Sequence, residues 1–136
     1  VLGSRDAAKA DGAMASIRSR VPGAHVLHLQ LDLADLSSLK SAVDRLDLDR
    51  LDAVVYNAGV ALNDPPRREP EDGHELMFGT NHLGHFALTQ WLAPLLSAAS
   101  AGRIVTVGGF AARSERLDLG GDLQSVRDYR HKRTYG

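Results

Sequence analysis

Two hydrophobic periods alternate along this chain, and that alternation is what most limits the fold. Residues 25–31 (HVLHLQL) alternate apolar and polar side chains, the period of a strand. Residues 51–56 (LDAVVY) and 103–107 (RIVTV) are short β-branched runs that read as buried strands. Helical spacing fills the gaps between them. Ala10, Ala13, Met14 and Ile17 mark a helix over residues 7–20, which Pro22 and Gly23 stop. Leu36, Leu39, Val43 and Leu46 form a second stripe that starts at Asp35. Residues 75–99 predict a long helix with Leu76, Phe86, Trp91, Leu92 and Leu95 as candidate core residues. Pro94 is expected to bend that helix or end it early, because proline lacks an N–H. Val1, Leu2 and Gly3 read as the tail of another strand. The order strand, helix, strand, helix, strand, helix, strand predicts an α/β fold with a doubly wound parallel sheet, since parallel strands need crossovers and helices supply them.

The remaining segments are less regular. Residues 61–73 hold three prolines and many charges and read as a loop. Residues 110–136 show no clear period and read as loop with a helical turn. A length of 136 residues suits one domain, expected to span residues 1–136. The net charge of −1 gives no reason to expect nucleic acid or an anionic membrane as partner. The chain has no cysteine, which excludes disulfides and thiol nucleophiles and fits a reducing compartment, so a cytoplasmic location is expected. No apolar run approaches the ~18–20 residues that span a bilayer.

In an open parallel sheet, ligands bind beyond the carboxyl ends of the strands. That rule selects Ser4, Arg5 and Asp6, then Asp32 and Leu33, then Asn57, Ala58 and Gly59, then Gly108 and Gly109. Arg5 can grip a phosphate with two N–H groups, or it is a solvated side chain near a helix start. Asp32 can accept from an adenine amino group or cap its own turn. Asn57, Ala58 and Gly59 are small where a backbone must approach something closely, or they form an ordinary turn. His82 and His85, three apart on one helix, are a candidate metal pair with no third ligand near in sequence, against the simpler reading of a packed helix. Tyr129 and Tyr135 are candidate proton donors with Lys132 and Arg133 beside them, or plain surface or core residues.

Taken together, Gly3-Ser4-Arg5-Asp6, Leu31-Asp32-Leu33, Tyr56-Asn57-Ala58-Gly59, Thr80-Asn81-His82-Leu83-Gly84-His85-Phe86 and Gly102-Arg103-Ile104-Val105-Thr106-Val107 resemble the short-chain dehydrogenase/reductase family. Within it they are most similar to the branch of retinol dehydrogenases and WW-domain oxidoreductases. The motifs occur in the family's order and spacing. The resemblance implies a partial Rossmann-like sheet holding strands two to five of the family fold, with the central first strand absent. It places Arg5 where the family meets the 2′-phosphate of NADP, and Ser4 where members that use NAD carry an acidic residue. NADP (NADPH) is therefore the expected cofactor. Asp32, followed by Leu33, matches the aspartate that meets adenine. Asn57, Ala58 and Gly59 match the motif that lines the cofactor ribose. No metal is implied.

For catalysis, the resemblance matches Asn81 to the helix asparagine, whose backbone holds a water in the proton relay, and Tyr135 to the catalytic tyrosine. Tyr129 is the competitor, but Arg133 rather than lysine stands four residues after it. The serine position is occupied by Gly109, which has no hydroxyl, and loss of one such donor costs on the order of 10²–10³ in rate. Ser114 is nearby without a register that would make it a substitute. The family's Gly-rich phosphate turn and catalytic lysine have no counterpart in the chain. In the strand order 3-2-1-4-5-6 the first strand is central, so its absence is expected to leave two strand pairs with unpaired apolar edges and a fragment inactive alone. The implied function is an NADP(H)-preferring oxidoreductase interconverting an alcohol and a carbonyl on a small-molecule substrate. The parent is expected to be a homo-oligomer built through the helix over residues 75–99. The alternative is a non-catalytic nucleotide-binding homologue that has lost the serine.

Overall fold

Aspartates start the first two helices. The computed structural model describes residues 1–62, 66–113, 115–116, 118–130 and 134–135. Helix α1 (Ala7–Arg20) begins at Asp6, whose carboxylate accepts from the Lys9 N–H at 3.0 Å. Helix α2 (Leu36–Asp44) begins at Asp35, which accepts from the Ser38 N–H at 3.2 Å. Each carboxylate satisfies a backbone donor that the first helical turn leaves without a partner. Arg18 and Arg20 sit in the last turn of α1, where the helix dipole favours positive charge. Gly23 then turns the chain at φ 85°, a conformation that costs glycine little.

The strands form two parallel pairs. Strand β1 (Leu2–Ser4) lies beside β2 (His28–Gln30) with Leu2 opposite His28, and β3 (Ala53–Tyr56) lies beside β4 (Arg103–Thr106) with Ala53 opposite Arg103. These are two separate two-stranded sheets among the described residues. The architecture agrees with the expected partial Rossmann-like α/β fold. The strands are shorter than the runs that foretold them, because each has one partner and pairs only where the two overlap. Single bonds continue the ladders one step further: Leu31 N–H to Ser4 O at 3.2 Å, and Val107 N–H to Tyr56 O at 3.0 Å.

The core lies where α2 meets α4 (His85–Ser97). It contains Leu33, Leu39, Val43, Tyr56, Leu88, Leu92 and Leu96, with Leu39 fully buried. It draws on residues from both halves of the chain and so holds the two strand pairs in one body.

The long helix expected over residues 75–99 is in three parts. A short α3 (Leu76–Phe78) leads into a π-helical turn (Gly79–Gly84), and α4 follows. Within the regular α4 the inward stripe is His85, Leu88, Leu92 and Leu96, and Phe86 and Trp91 each sit about a third of a turn off it. Phe86 and Trp91, expected in the core, therefore face outward at 59% and 43% exposure. The Lys40 ammonium sits 5.5 Å from the Trp91 ring centre. Pro94 does not break α4. It lies near the end of the helix on an exposed face, and the helix runs on to Ser97. The expectation of buried strands at residues 51–56 and 103–107 also fails, and of β3 only Tyr56 is buried. Strand β4 is exposed along its length, because β3 flanks it on one edge and is its main neighbour.

Candidate functional site

The carboxyl ends of β1, β2 and β3 open onto one cavity of about 220 Å³. Gly3, Ser4 and Arg5 line it from β1, Leu31, Asp32 and Leu33 from the end of β2, and Ala58, Gly59 and Val60 from the turn after β3; Thr80 closes it from the π turn. Of the binding residues expected from sequence, Ser4, Arg5, Asp32, Leu33, Ala58 and Gly59 meet here. Asn57 stands outside the lining and is exposed. The cavity is smaller than the ~300–1,000 Å³ of pockets that enclose a whole drug-sized ligand, and it suits one end of a dinucleotide.

The polar groups at the mouth have distinct partners. The Ser4 hydroxyl turns back to the start of α1, donating to Asp6 O and accepting from Asp6 N–H, both at 3.2 Å. Asp32 uses Oδ1 to accept from the Ala34 N–H at 2.9 Å, so the capping reading is met. Its Oδ2 lies 3.9 Å from Arg5 Nη1. The Arg5 side chain is 63% exposed, so this pair holds it weakly and leaves the guanidinium free to turn to another anion.

Close approach explains two glycines. A Cβ on Gly59 would lie 3.2 Å from Asn81 Oδ1, and one on Gly84 would press into the backbone of Leu33. Bare backbone at these two places lets the π turn pack against both the β3 turn and the end of β2. Asn81 then bridges to Val60 with two hydrogen bonds of 2.8 Å: it accepts from the Val60 N–H through Oδ1 and donates to Val60 O through Nδ2. The Asn81 backbone carbonyl faces His85 Nδ1 at 2.8 Å. Thr80 is 6% exposed, and its hydroxyl is buried with no partner among the described residues. With under 1 Å² accessible, that hydroxyl does not reach the cavity surface.

A second grouping joins distant parts of the chain. A Cβ on Gly109 would lie 3.1 Å from the Tyr135 hydroxyl, so the serine position and the expected tyrosine do come together. Tyr129 behaves differently. Burial first, and the Glu75 charge second, push its phenol above the usual tyrosine value. That is the wrong direction for a proton donor at neutral pH. Ser114, Lys132 and Arg133 lie outside the described residues.

Gln124 ties the segment before Tyr135 to the start of α3. Its backbone oxygen accepts from Arg67 Nε and its Oε1 accepts from the Glu75 N–H, both at 2.8 Å. Glu75 is fully buried and caps α3 by accepting from the Phe78 N–H at 2.7 Å.

The two histidines do not act as a pair. His82 is exposed and stacks on Phe78, with ring centres 5.3 Å apart. His85 is buried and stacks on Tyr56 at 4.7 Å. No group of three or more His, Cys, Asp or Glu among the described residues is placed to hold a metal ion. No helix of the described residues is long and apolar enough to cross a membrane. Sequence reasoning missed Thr80 and Gln124, and it weighed His85 only as a metal ligand or part of a packed helix. Thr80 had one available signal, its place directly before Asn81.

Comparison with known proteins gives consistent relatives. A family model described as short chain dehydrogenase matches residues 1–118. Retinol dehydrogenase 13 of Homo sapiens is 34% identical over 137 residues, covering 99% of this chain and 41% of that protein. Polyprenol dehydrogenase of Mus musculus is 40% identical over 136 residues, covering 95% of this chain and 39% of that protein. The chain thus spans about two fifths of the length of these curated relatives. Among solved structures, an uncharacterised protein from Mycobacterium paratuberculosis superposes with a TM-score of 0.74 at 32% identity, covering 98% of this chain and 44% of that one. A short chain dehydrogenase from Escherichia coli complexed with NADPH superposes at 0.70 and 26% identity, covering 88% of this chain and 51% of that one.

Proposed function

The chain belongs to the short-chain dehydrogenase family, and on that footing we propose that its protein interconverts an alcohol and a carbonyl with NADP(H) as the preferred cofactor. The observation that carries the reading is the cavity at the strand ends, with an exposed arginine at its mouth. The residues fit such a cofactor. Arg5 would take the 2′-phosphate, and Ser4 beside it adds no repelling charge. Asp32 would accept from the adenine amino group, and Leu33, Ala58 and Gly59 leave room for the adenosine. When bound, the nicotinamide supplies or accepts the hydride.

The proton is the task of Tyr135. In the reducing direction its hydroxyl gives a proton to the oxygen that was the carbonyl, and in the oxidising direction it takes one from the alcohol. Asn81 holds the π turn against the β3 turn and keeps the two sides of the site in register. Relatives named for retinol and polyprenol support an apolar alcohol as substrate. The core shared between α2 and α4 supports reading residues 1–136 as one nucleotide-binding domain. The exposed Phe86 and Trp91 on α4 support a homo-oligomer built on that helix.

The test is NADPH oxidation against a panel of apolar aldehydes. Tyr135→Phe is expected to lower turnover by about 10²–10⁴, the usual worth of a positioned proton donor. Equal rates in the two proteins would refute the assignment.

Gly109 favours a second reading, a homologue that binds nucleotide without turning it over. A Gly109→Ser variant separates the two. A rise on the order of 10²–10³ supports a site that lost its donor, and an unchanged rate supports catalysis without it.

A further inference from the structure

Asn81 is held from both sides, and the second side has no counterpart among the roles discussed so far. Its side chain bridges to both backbone groups of Val60. Its carbonyl oxygen meets the imidazole of His85 at 2.8 Å. In a regular α-helix that carbonyl would accept from the backbone N–H four residues on. Here the His85 N–H goes instead to His82 O, three residues back, and the ring of His85 faces the Asn81 carbonyl. The ring is itself fixed. It is 8% exposed and stacks on Tyr56. The Tyr56 hydroxyl lies 2.8 Å from Thr89 Oγ1, and the Thr89 hydroxyl donates to His85 O at 2.7 Å. The contacts close a loop that runs from Tyr56 along the chain to Val60, across to Asn81, on to His85 and back to Tyr56.

We propose that His85 is a positioning residue that fixes the Asn81 carbonyl, and through it the π turn at the candidate active site. The proposal rests on the reading that Asn81 belongs to that site. A carbonyl oxygen only accepts, so the ring nitrogen facing it carries the proton. His85 therefore donates from Nδ1. One lone pair of the Asn81 carbonyl is committed to the ring, and the second is left for a water or another donor on a fixed bearing. π turns of this sort recur at functional sites, where a side chain satisfies what the backbone ladder leaves open.

The experiment uses two substitutions that separate the ring from its proton. His85→Phe keeps the stack on Tyr56 and loses the donor. His85→Gln loses the stack and restores a donor. Histidine ¹⁵N spectra of the unsubstituted protein are expected to show His85 as the Nδ1–H tautomer, and an Nε2–H tautomer would overturn the proposal. Hydrogen exchange at the Val60 amide, which donates to Asn81 Oδ1, is expected to speed up about tenfold in His85→Phe, the worth of one hydrogen bond, and to return towards the original rate in His85→Gln. In the NADPH assay, kcat is expected to fall about tenfold in His85→Phe with KM for NADPH unchanged, and to recover in His85→Gln. Unchanged exchange and kcat in His85→Phe, or no recovery in His85→Gln, would overturn it. Absence of turnover in the unsubstituted protein would count against the oxidoreductase reading alone, because the tautomer and the exchange rates judge His85 independently.

Discussion

Replacing Gly84 with alanine adds one methyl at the contact that sets the site. A Cβ there would lie 2.9 Å from Leu33 Cβ and 3.1 Å from the Leu33 carbonyl carbon, with the carbonyl oxygen closer still. Carbon atoms prefer separations of about 3.5–4.0 Å. A backbone carbonyl cannot rotate away, so the π turn must back off from the end of β2. Overpacking of this kind costs about 1–3 kcal/mol. The exchange of a helical glycine for alanine offsets about 0.5–1 kcal/mol. The backbone clash places the net loss at about 1–2 kcal/mol. With a urea slope of about 1–3 kcal/mol per molar, the unfolding midpoint should drop by roughly 1 M. Gly12→Ala is the control. Gly12 lies within α1 with nothing within 4 Å of its added Cβ, so that change should raise stability by about 0.5–1 kcal/mol. Urea unfolding of the three proteins checks the argument. A Gly84→Ala midpoint equal to or above the original would show that the π turn does not rest on Leu33 as described.

Thr80→Val keeps the shape of the side chain and removes a buried hydroxyl that has no partner among the described residues. Stability should hold or rise by about 1 kcal/mol; a clear loss of stability in urea would mean the hydroxyl is already bonded in the fold. Asp35 caps α2, and its bonds to Ser37 and Ser38 hold its carboxyl below the ordinary 3.8. The fold therefore binds fewer protons than the unfolded chain between the lowered value and 3.8, so this contribution is present above pH 3.8 and is lost as the pH falls through the lowered value. Asp35→Asn keeps a capping oxygen without the titration, so its acid unfolding curve should be shallower across that window than the parent's. Parallel curves would refute the assignment.

The parts of the fold written in local chemistry were legible. Asp35 announces its helix because capping involves neighbours in sequence, whereas the cap at Asp6 went unread. The alternation of strand and helix periods announces parallel pairing, and the strands pair as that order requires. The π turn was invisible, since counting by 3.6 residues per turn cannot register an inserted residue. Phe86 and Trp91 face outward for a different reason: by regular helical spacing neither lies on the stripe of Leu88, Leu92 and Leu96. The β-branched run at residues 103–107 looks the same whether a layer covers it or not, so its exposure could not be read from composition. That Ser4, Arg5, Asp32, Leu33, Ala58 and Gly59 would share one cavity was legible from their position after strands, a topological rule that needs no contact. His85, Gln124 and the partnerless hydroxyl of Thr80 acquire their significance from tertiary contacts alone. The meeting of Gly109 with Tyr135 confirms no role by itself, but it is the juxtaposition that the resemblance required.

In the proposed function, the cavity beyond β1, β2 and β3 receives the phosphorylated adenosine end of NADP(H) through Arg5. Calorimetric titration with adenosine 2′,5′-bisphosphate and with adenosine 5′-monophosphate tests it without any need for turnover. The bisphosphate is expected to bind at least about tenfold more tightly, as a charge-assisted contact to a phosphate warrants, and Arg5→Ala is expected to abolish this advantage while leaving the monophosphate unchanged. Equal affinity for the two nucleotides, or an advantage that survives Arg5→Ala, would contradict it.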